Sequence, residues 1–162
     1  MSALAIRIKP GLVVAVSLQD GRTAFGRLLV EPLVEFFDFV SESESSPLPV
    51  DELRMKSILF RINVMNAAVT EKRWPIIGAI PLTAQEISRP ERFFKQDPLS
   101  GRLTVSIQTG DSSSEREMPA TPDDCYGLER DAVWSATHVE DRLVDHFNGV
   151  SNKWVESLKL KF

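Results

Sequence analysis

The chain has 162 residues, 43% of them hydrophobic and 26% charged, which is the size and composition of one globular domain with its own hydrophobic core. No apolar run reaches the roughly 18 residues that a membrane helix needs, and the net charge of −4 with a pI near 5.3 argues against the basic surface of a nucleic-acid binder. We therefore expect a single domain over residues 1–162 that binds neither membrane nor nucleic acid directly.

Residues 11–40 predict three short strands joined by two tight turns. Runs rich in valine and phenylalanine have strand length, and the pair Asp20-Gly21 between the first two favours the positive φ that hairpin turns need. This stretch contains no histidine, no cysteine and no serine-nucleophile motif. The opening third of the chain therefore indicates scaffold, and a binding protein before an enzyme.

The next segments predict a loop and two further strands. Residues 41–49 are polar and contain proline, which is typical of a loop. Residues 57–64 alternate between apolar and polar side chains, as a half-buried strand does. Residues 74–82 are apolar, but Pro75 and Pro81 cannot donate to a ladder, so this run belongs at an edge or a bend, with Gly78 marking a bulge.

Short helices and a hairpin are predicted further along. Thr83 and Glu86 have the spacing of a capping box, and Thr121 with the following Pro-Asp-Asp predicts a second short helix. The apolar runs around Phe93 and over 103–107 predict a hairpin. Residues 111–119 are polar, and we expect a loop there.

The strongest helix prediction is residues 137–148. Thr137 and Glu140 have capping-box spacing, and Val139, Leu143 and Phe147 recur on one face. The region around Trp154 fits either a last strand or a terminal helix. The expected fold class is α+β and predominantly β: a twisted, mostly antiparallel sheet or a partial barrel, with a C-terminal amphipathic helix and short connecting helices.

Acidic residues are concentrated in one part of the sequence. Residues 31–52 hold seven carboxylates and no lysine or arginine. Two interpretations stay open: a solvated acidic loop, or a surface matched to a basic partner. The candidates for partner contact are Glu35, Glu42, Glu44, Asp51 and Glu52 in this region, and Glu140, Asp141 and Asp145 on the helix.

Few residues could carry chemistry. His138 and His146 lie eight residues apart on one predicted helix, about 12 Å along its axis, so they cannot share a metal or a proton. Cys125 follows two aspartates, which raise a thiol pKa. No nucleotide-binding loop and no CxxC pair is present. We expect no catalytic residue, no metal site and no cofactor, and we leave Trp74, Trp134 and Trp154 open between core and partner contact.

Several short motifs, taken together in order and spacing, are shared with a known family. They are Gly11-Leu-Val-Val-Ala-Val, Asp20-Gly21-Arg22, Phe25-Gly26-Arg27, Phe60-Arg61-Ile62, Trp74-Pro75-Ile76-Ile77-Gly78, Ile80-Pro81-Leu82, Phe93-Phe94-Lys95-Gln96-Asp97-Pro98, Gly127-Leu128-Glu129, Ala132-Val133-Trp134, His138-Val139-Glu140-Asp141 and Asn152-Lys153-Trp154. With these motifs the chain resembles the immunity protein 26 family of bacterial polymorphic toxin systems.

The resemblance implies a β-rich, non-catalytic protein that is encoded beside a toxin gene and binds and blocks the toxin in the producing cell. It also implies structural roles for a set of motif residues. These are Gly11, Gly21, Gly26, Trp74, Pro75, Gly78, Pro81 and Trp134.

Three hypotheses follow. The first is an immunity protein whose acidic surface covers a basic toxin, for which a nuclease is suited because its substrate cleft is positive. The second is a stand-alone β-rich binding or assembly module that self-associates through the edge run at Trp74. The third is a small hydrolase that uses His138 or His146. The expected location is the cytoplasm, because the amino-terminal segment lacks the order of a secretory signal and a single cysteine forms no internal disulfide.

Overall fold

A computed structural model of the chain describes residues 7–42, 50–110 and 112–162. The strands are β1 (Leu12–Ser17), β2 (Thr23–Leu28), β3 (Leu33–Ser41), β4 (Ile58–Val64), β5 (Ile76–Ala79), β6 (Glu91–Gln96), β7 (Leu103–Thr109), β8 (Ser112–Pro119), β9 (Glu129–Arg130) and β10 (Val133–Trp134). The helices are a 3₁₀ helix (Val50–Met55), α1 (Ala67–Thr70), α2 (Ala84–Ser88), α3 (Pro122–Cys125), α4 (Ala136–Phe147) and α5 (Lys153–Ser157).

The chain forms two compact units, each assembled from two separate stretches of sequence. The first unit comprises Met1–Leu82 and Val133–Asn152, and the second comprises Thr83–Ala132 and Lys153–Phe162. Each unit contains one sheet. That residues 1–162 form a single cooperative domain stays a prediction.

The first unit is built on a six-stranded sheet with the order β10-β4-β3-β2-β1-β5. The three-stranded meander predicted from residues 11–40 is confirmed as β1, β2 and β3, which pair antiparallel. The Asp-Gly turn lies between β1 and β2, with Gly21 at a φ of 86°. The strand predicted over residues 57–64 is confirmed as β4, but its burial does not alternate, since Asn63 is buried like Ile62 and Val64. The short β10 joins β4 in parallel.

One face of this sheet carries a buried apolar cluster under the 3₁₀ helix. The cluster consists of Val13, Phe25, Phe37, Leu53 and Ile80. Leu53 comes from the 3₁₀ helix and is fully buried. The 3₁₀ helix therefore covers this apolar cluster with Leu53, although the residues beside Leu53 in the helix are mostly charged.

The opposite face of the sheet contacts α4. Val139 and Leu143 of α4 are completely buried, and the Arg142 guanidinium lies 3.7 Å from the centroid of the Phe60 ring. The Phe36 ring meets Phe60 at 5.2 Å and Trp74 at 5.7 Å between centroids. Burial of large aromatic rings supplies much of the hydrophobic stabilisation of such a face.

The edge position predicted for the proline-bearing run is confirmed, because β5 pairs only with β1 among the described strands. Between Val13 and Val14 of β1 the partner residue on β5 moves by two positions, from Gly78 to Ile76. This extra residue is the bulge expected near Gly78. The edge strand is therefore short, bulged and flanked by prolines.

The second unit is built on a four-stranded sheet with the order β8-β7-β6-β9. The predicted hairpin is confirmed as β6 and β7. The expected loop over residues 111–119 is wrong, because Ser112–Pro119 forms strand β8 against β7. A strand at the edge of a sheet can be polar on both faces, so the composition of β8 does not distinguish it from a loop.

The helix starts give two confirmations and one correction. Thr83 and Glu86 form the expected capping box, and Thr121 is the expected cap of α3, where it forms a capping box with Asp124. The cap predicted at Thr137 is wrong: Ser135 caps α4, where its side chain accepts from the backbone N–H of His138. Residues around Trp154 form the short helix α5.

The expected fold class is confirmed, with one addition. The structure is mixed α and β with more strand than helix, and its sheets are mostly antiparallel. There are two sheets where one was expected, and the described strands close no barrel.

Candidate functional site

Among the predicted contact residues of the acidic region, those exposed within the described ranges are Glu42, directly after β3, and Asp51 and Glu52 in the first turn of the 3₁₀ helix. The Asp51 side chain is 86% exposed and lies 3.4 Å from the guanidinium of Arg54, itself 53% exposed. An ion pair this exposed contributes little, so Asp51 remains accessible to a partner. Glu44 lies outside the described residues.

Glu35, the first of the predicted contact residues, is buried in the sheet. It stands between Arg27 on β2 and Arg61 on β4, directly opposite both in the strand register. Each guanidinium Nε lies 3.1 Å from one Glu35 oxygen. With its carboxylate only 4% exposed, Glu35 cannot meet a partner in this conformation. Its role is to compensate the charge of Arg27, which is also buried.

Glu140, which was predicted to contact a partner, is also buried. Its carboxylate accepts two hydrogen bonds from Arg73, at 2.8 and 2.7 Å, and one from the indole N–H of Trp74 at 2.9 Å. The bidentate contact raises the pKa of the Arg73 guanidinium. Glu140 therefore holds α4 to the segment before β5 and is unavailable to a partner.

The other two helix carboxylates are half-buried. Asp145 accepts a hydrogen bond of 2.8 Å from the Asn152 amide, and Asp141 has contacts of its own within the protein. Of the eight predicted contact residues, the structure therefore leaves Glu42, Asp51 and Glu52 as fully exposed carboxylates within the described ranges.

A polar cluster near the first hairpin turn was not predicted. Arg22 donates to the Asp20 carboxylate at 2.6 Å and to Asn148 at the end of α4 at 2.8 Å. The hydrogen bond from Arg22 lowers the pKa of Asp20, and the negative charge of Glu42 contributes to the raised pKa of Arg22. Glu42 thus lies near a cation. In the sequence, Arg22 only follows the Asp-Gly turn, and nothing near it indicates a contact with Asn148, which is 126 positions away.

The residues considered for catalysis differ in their surroundings. The His146 Nε2 atom lies 3.2 Å from Asp38 Oδ1, and the His146 side chain is 44% exposed. Cys125 is 2% exposed, and burial together with Asp124 raises the pKa of its thiol. No group of three acidic, histidine or cysteine side chains within residues 7–42, 50–110 and 112–162 could hold a metal ion.

The glycines of the motifs lie where a side chain would collide or where the backbone is left-handed. A Cβ on Gly78 would lie 2.7 Å from Val50 Cγ2, and one on Gly26 would lie 3.1 Å from the Phe36 ring. Gly11 has a φ of 97° and a Cβ there would lie 3.0 Å from the Ile80 carbonyl oxygen. These contacts fit close packing between strands.

The other motif residues fix the edge of the six-stranded sheet and its α4 face. Pro75 and Pro81 flank β5, and the Pro75 carbonyl accepts from the Ala15 N–H at 3.0 Å. Trp74 and Trp134 are 1% and 5% exposed, which places both in the core. Trp154, on α5, is only half-buried.

Comparison with known proteins identifies the family. The sequence model of the family described as Immunity protein 26 matches residues 9–103. No curated protein and no solved structure matches the chain. Among the described helices, none has the length and apolar character to cross a membrane. The motifs noted between Gly127 and Trp154 lie beyond the matched span, which nevertheless covers more than half of the sequence. The chain therefore belongs to the immunity protein 26 family.

Proposed function

We propose that this protein is an immunity protein that binds and neutralises a cognate bacterial toxin in the cytoplasm of the producing cell, without catalysis of its own. The observation that carries the proposal is the family match over residues 9–103. The burial and raised thiol pKa of Cys125 support a binding role, since a nucleophilic cysteine needs an accessible thiolate.

The proposed contact includes the exposed carboxylates Glu42, Asp51 and Glu52, with Glu44 in the segment between them. A toxin that acts on nucleic acid has a positive substrate cleft, and carboxylates can occupy the positions of phosphates there. Charge complementarity of this kind raises the association rate and selects the partner. We therefore propose a nuclease as the toxin class. The acid excess of residues 31–52 supports this choice.

Co-expression tests the proposal. The toxin domain encoded by the adjacent gene is expressed in a sensitive bacterium with and without this chain. Rescue of growth, with a stoichiometric complex recovered from the same cells, is the expected result. An adjacent gene without a toxin domain, or intoxication that continues despite soluble immunity protein, would favour the stand-alone binding module.

The toxin class is tested on the purified toxin domain, to which this chain is then added. A nuclease releases acid-soluble nucleotides from added DNA or RNA, and an equimolar amount of this chain should suppress that release. A purified toxin domain that kills cells but leaves both nucleic acids intact would exclude the nuclease assignment while leaving neutralisation intact.

A further inference from the structure

An exposed apolar strip runs along the edge of the six-stranded sheet. Residues 75–81 contain no polar side chain, yet of this run only Ile80 is buried. Ile76 is 38% and Ile77 40% exposed, and Pro75, Ala79 and Pro81 are also exposed. Exposed apolar side chains at successive positions of an edge strand are candidates for an interaction site.

Acidic side chains border this strip. Val50 packs so closely on Gly78 that a Cβ added to the glycine would lie 2.7 Å from the valine Cγ2. Asp51 and Glu52 follow Val50 directly and are exposed in the first turn of the 3₁₀ helix. The surface therefore combines an apolar centre with a charged rim, which is the usual anatomy of a protein interface.

The backbone of this edge is unsuited to receiving another strand. The bulge opposite Val13 and Val14 disrupts the regular spacing of the ladder. Pro75 and Pro81 at the two ends have no N–H to donate, and β5 has only four residues. A partner is thus recognised by the side chains of the strip, and a second copy paired edge to edge about a two-fold axis would also bring together two identical acidic turns.

We propose that residues 75–79, together with Asp51 and Glu52, form the contact surface for the cognate toxin, and that the toxin meets it with an apolar centre flanked by basic side chains. This inference rests on the proposed function and names the part of the protein that carries it. Apolar side chains at the centre of the contact supply most of the affinity, and the acidic rim sets orientation and charge selectivity.

Paired substitutions of isoleucine test the apolar centre. The double variant Ile76→Ser, Ile77→Ser is compared with Ile87→Ser, because Ile87 on α2 is exposed to nearly the same extent, 36%. We expect the double variant to raise the Kd for the co-expressed toxin domain by at least about tenfold, and the Ile87 variant to leave it unchanged. Equal affinity of the double variant and the unmodified chain would overturn the proposal.

The sign of the partner's charge is tested at one position. A basic toxin surface tolerates Ile77→Glu better than Ile77→Lys, so the lysine variant should bind at least about tenfold more weakly than the glutamate variant. The reverse order, or no difference, would overturn the basic assignment.

Hydrogen exchange of the unmodified complex makes the test independent of any variant's folding. Peptides that cover residues 75–82 should exchange more slowly in the complex than in the free chain, whereas peptides around Ile87 should not change. A complex that forms without protection at 75–82 would overturn this surface but leave the proposed function standing, and failure to form any complex would overturn the proposed function itself. A free chain that is dimeric through the same strip, with unchanged toxin affinity on its disruption, would assign the strip to a second copy and overturn the inference.

Discussion

Glu140 on α4 accepts a hydrogen bond of 2.9 Å from the indole N–H of Trp74, and both side chains are buried. The two residues are 66 positions apart in sequence, so this bond joins the end of the chain's first half to its main helix. The same carboxylate is held by Arg73, which is half-exposed. The buried Glu140 carboxylate is therefore shared by two donors, the buried indole of Trp74 and the half-exposed guanidinium of Arg73.

Replacing Glu140 with leucine should destabilise the protein by about 2 to 4 kcal/mol, because the indole N–H and the guanidinium both lose their acceptor inside the fold. Glu140→Gln should cost less, since an amide oxygen can still accept from Trp74. Urea unfolding measures both. Arg73→Ala should also destabilise the protein, by about 1 to 3 kcal/mol, because the buried Glu140 carboxylate then loses its counter-charge. Equal losses for the leucine and glutamine variants would show that the indole bond contributes nothing.

Glu35→Ala should cost about 3 to 5 kcal/mol, because it leaves the buried Arg27 guanidinium without a counter-charge. Arg61→Ala should be milder, since Arg61 is 27% exposed and Glu35 keeps its partner on β2. Thermal and urea unfolding of both variants measure the difference. If Arg61→Ala proved the more damaging change, the assignment of Arg27 as the dependent charge would be wrong.

Gly78→Ala should destabilise the edge of the six-stranded sheet by about 1 to 3 kcal/mol, because the new methyl group would overlap Val50 Cγ2. Shortening the neighbour should relieve the overlap. We therefore expect the double variant Gly78→Ala, Val50→Ala to lose less stability than the two single changes summed, a coupling that a double-mutant cycle in urea detects. Strict additivity would contradict the close contact.

Salt should weaken the toxin complex mainly through its association rate. Reversing charge at Glu42, Glu44 and Asp51 together should slow association at low ionic strength and flatten the salt dependence, as measured by stopped-flow mixing. Glu71→Lys, at an exposed position outside residues 31–52 of the sequence, is the control. Association rates of the triple variant that matched those of the control would exclude this surface.

Cys125 should resist alkylation in the native protein and react fully in urea, because it is buried and its thiol pKa is raised. The sign of the pH effect follows from this shift. The unfolded thiol loses its proton at a lower pH than the folded one. The free energy of unfolding should therefore fall as the pH rises from the unfolded pKa of about 8.5 towards the higher pKa of the folded protein. A Cys125→Ala variant should lack this alkaline component of the stability curve.

The same thiol tests whether residues 1–162 unfold as one domain. Cys125 reports on the second unit, while Trp74 and Trp134 report on the first, particularly with Trp154→Phe in place. Coincident urea midpoints by thiol labelling and by tryptophan fluorescence would support a single cooperative domain. Separate midpoints would show two folding units.

Local patterns in the sequence predicted those elements whose residues determine their own conformation. The Asp-Gly turn and the caps at Thr83 and Thr121 depend on neighbours a few residues apart, and the structure contains each of them. Strand β8 was missed because an edge strand buries little and needs no apolar periodicity.

The candidate site was harder to predict, because burial of a charge depends on distant partners. Glu35 is compensated from β2 and β4, and Glu140 from the segment before β5. Nothing within α4 itself shows that Glu140 meets Arg73 and Trp74 from a distant segment. Among the candidates that the structure describes, Glu42, Asp51 and Glu52 are exposed, as a partner surface requires.

The order of the chain has a consequence for protein synthesis. The first unit needs β10 and α4, which are translated after the whole of residues 83–132. A ribosome that has completed the family-matched span to residue 103 has therefore made a sheet whose Phe36 and Trp74 face still lacks its helix. Protection against a toxin made in the same cell should begin only after α4 has been translated, so premature termination anywhere before α4 would leave the cell with an aggregation-prone fragment and no immunity.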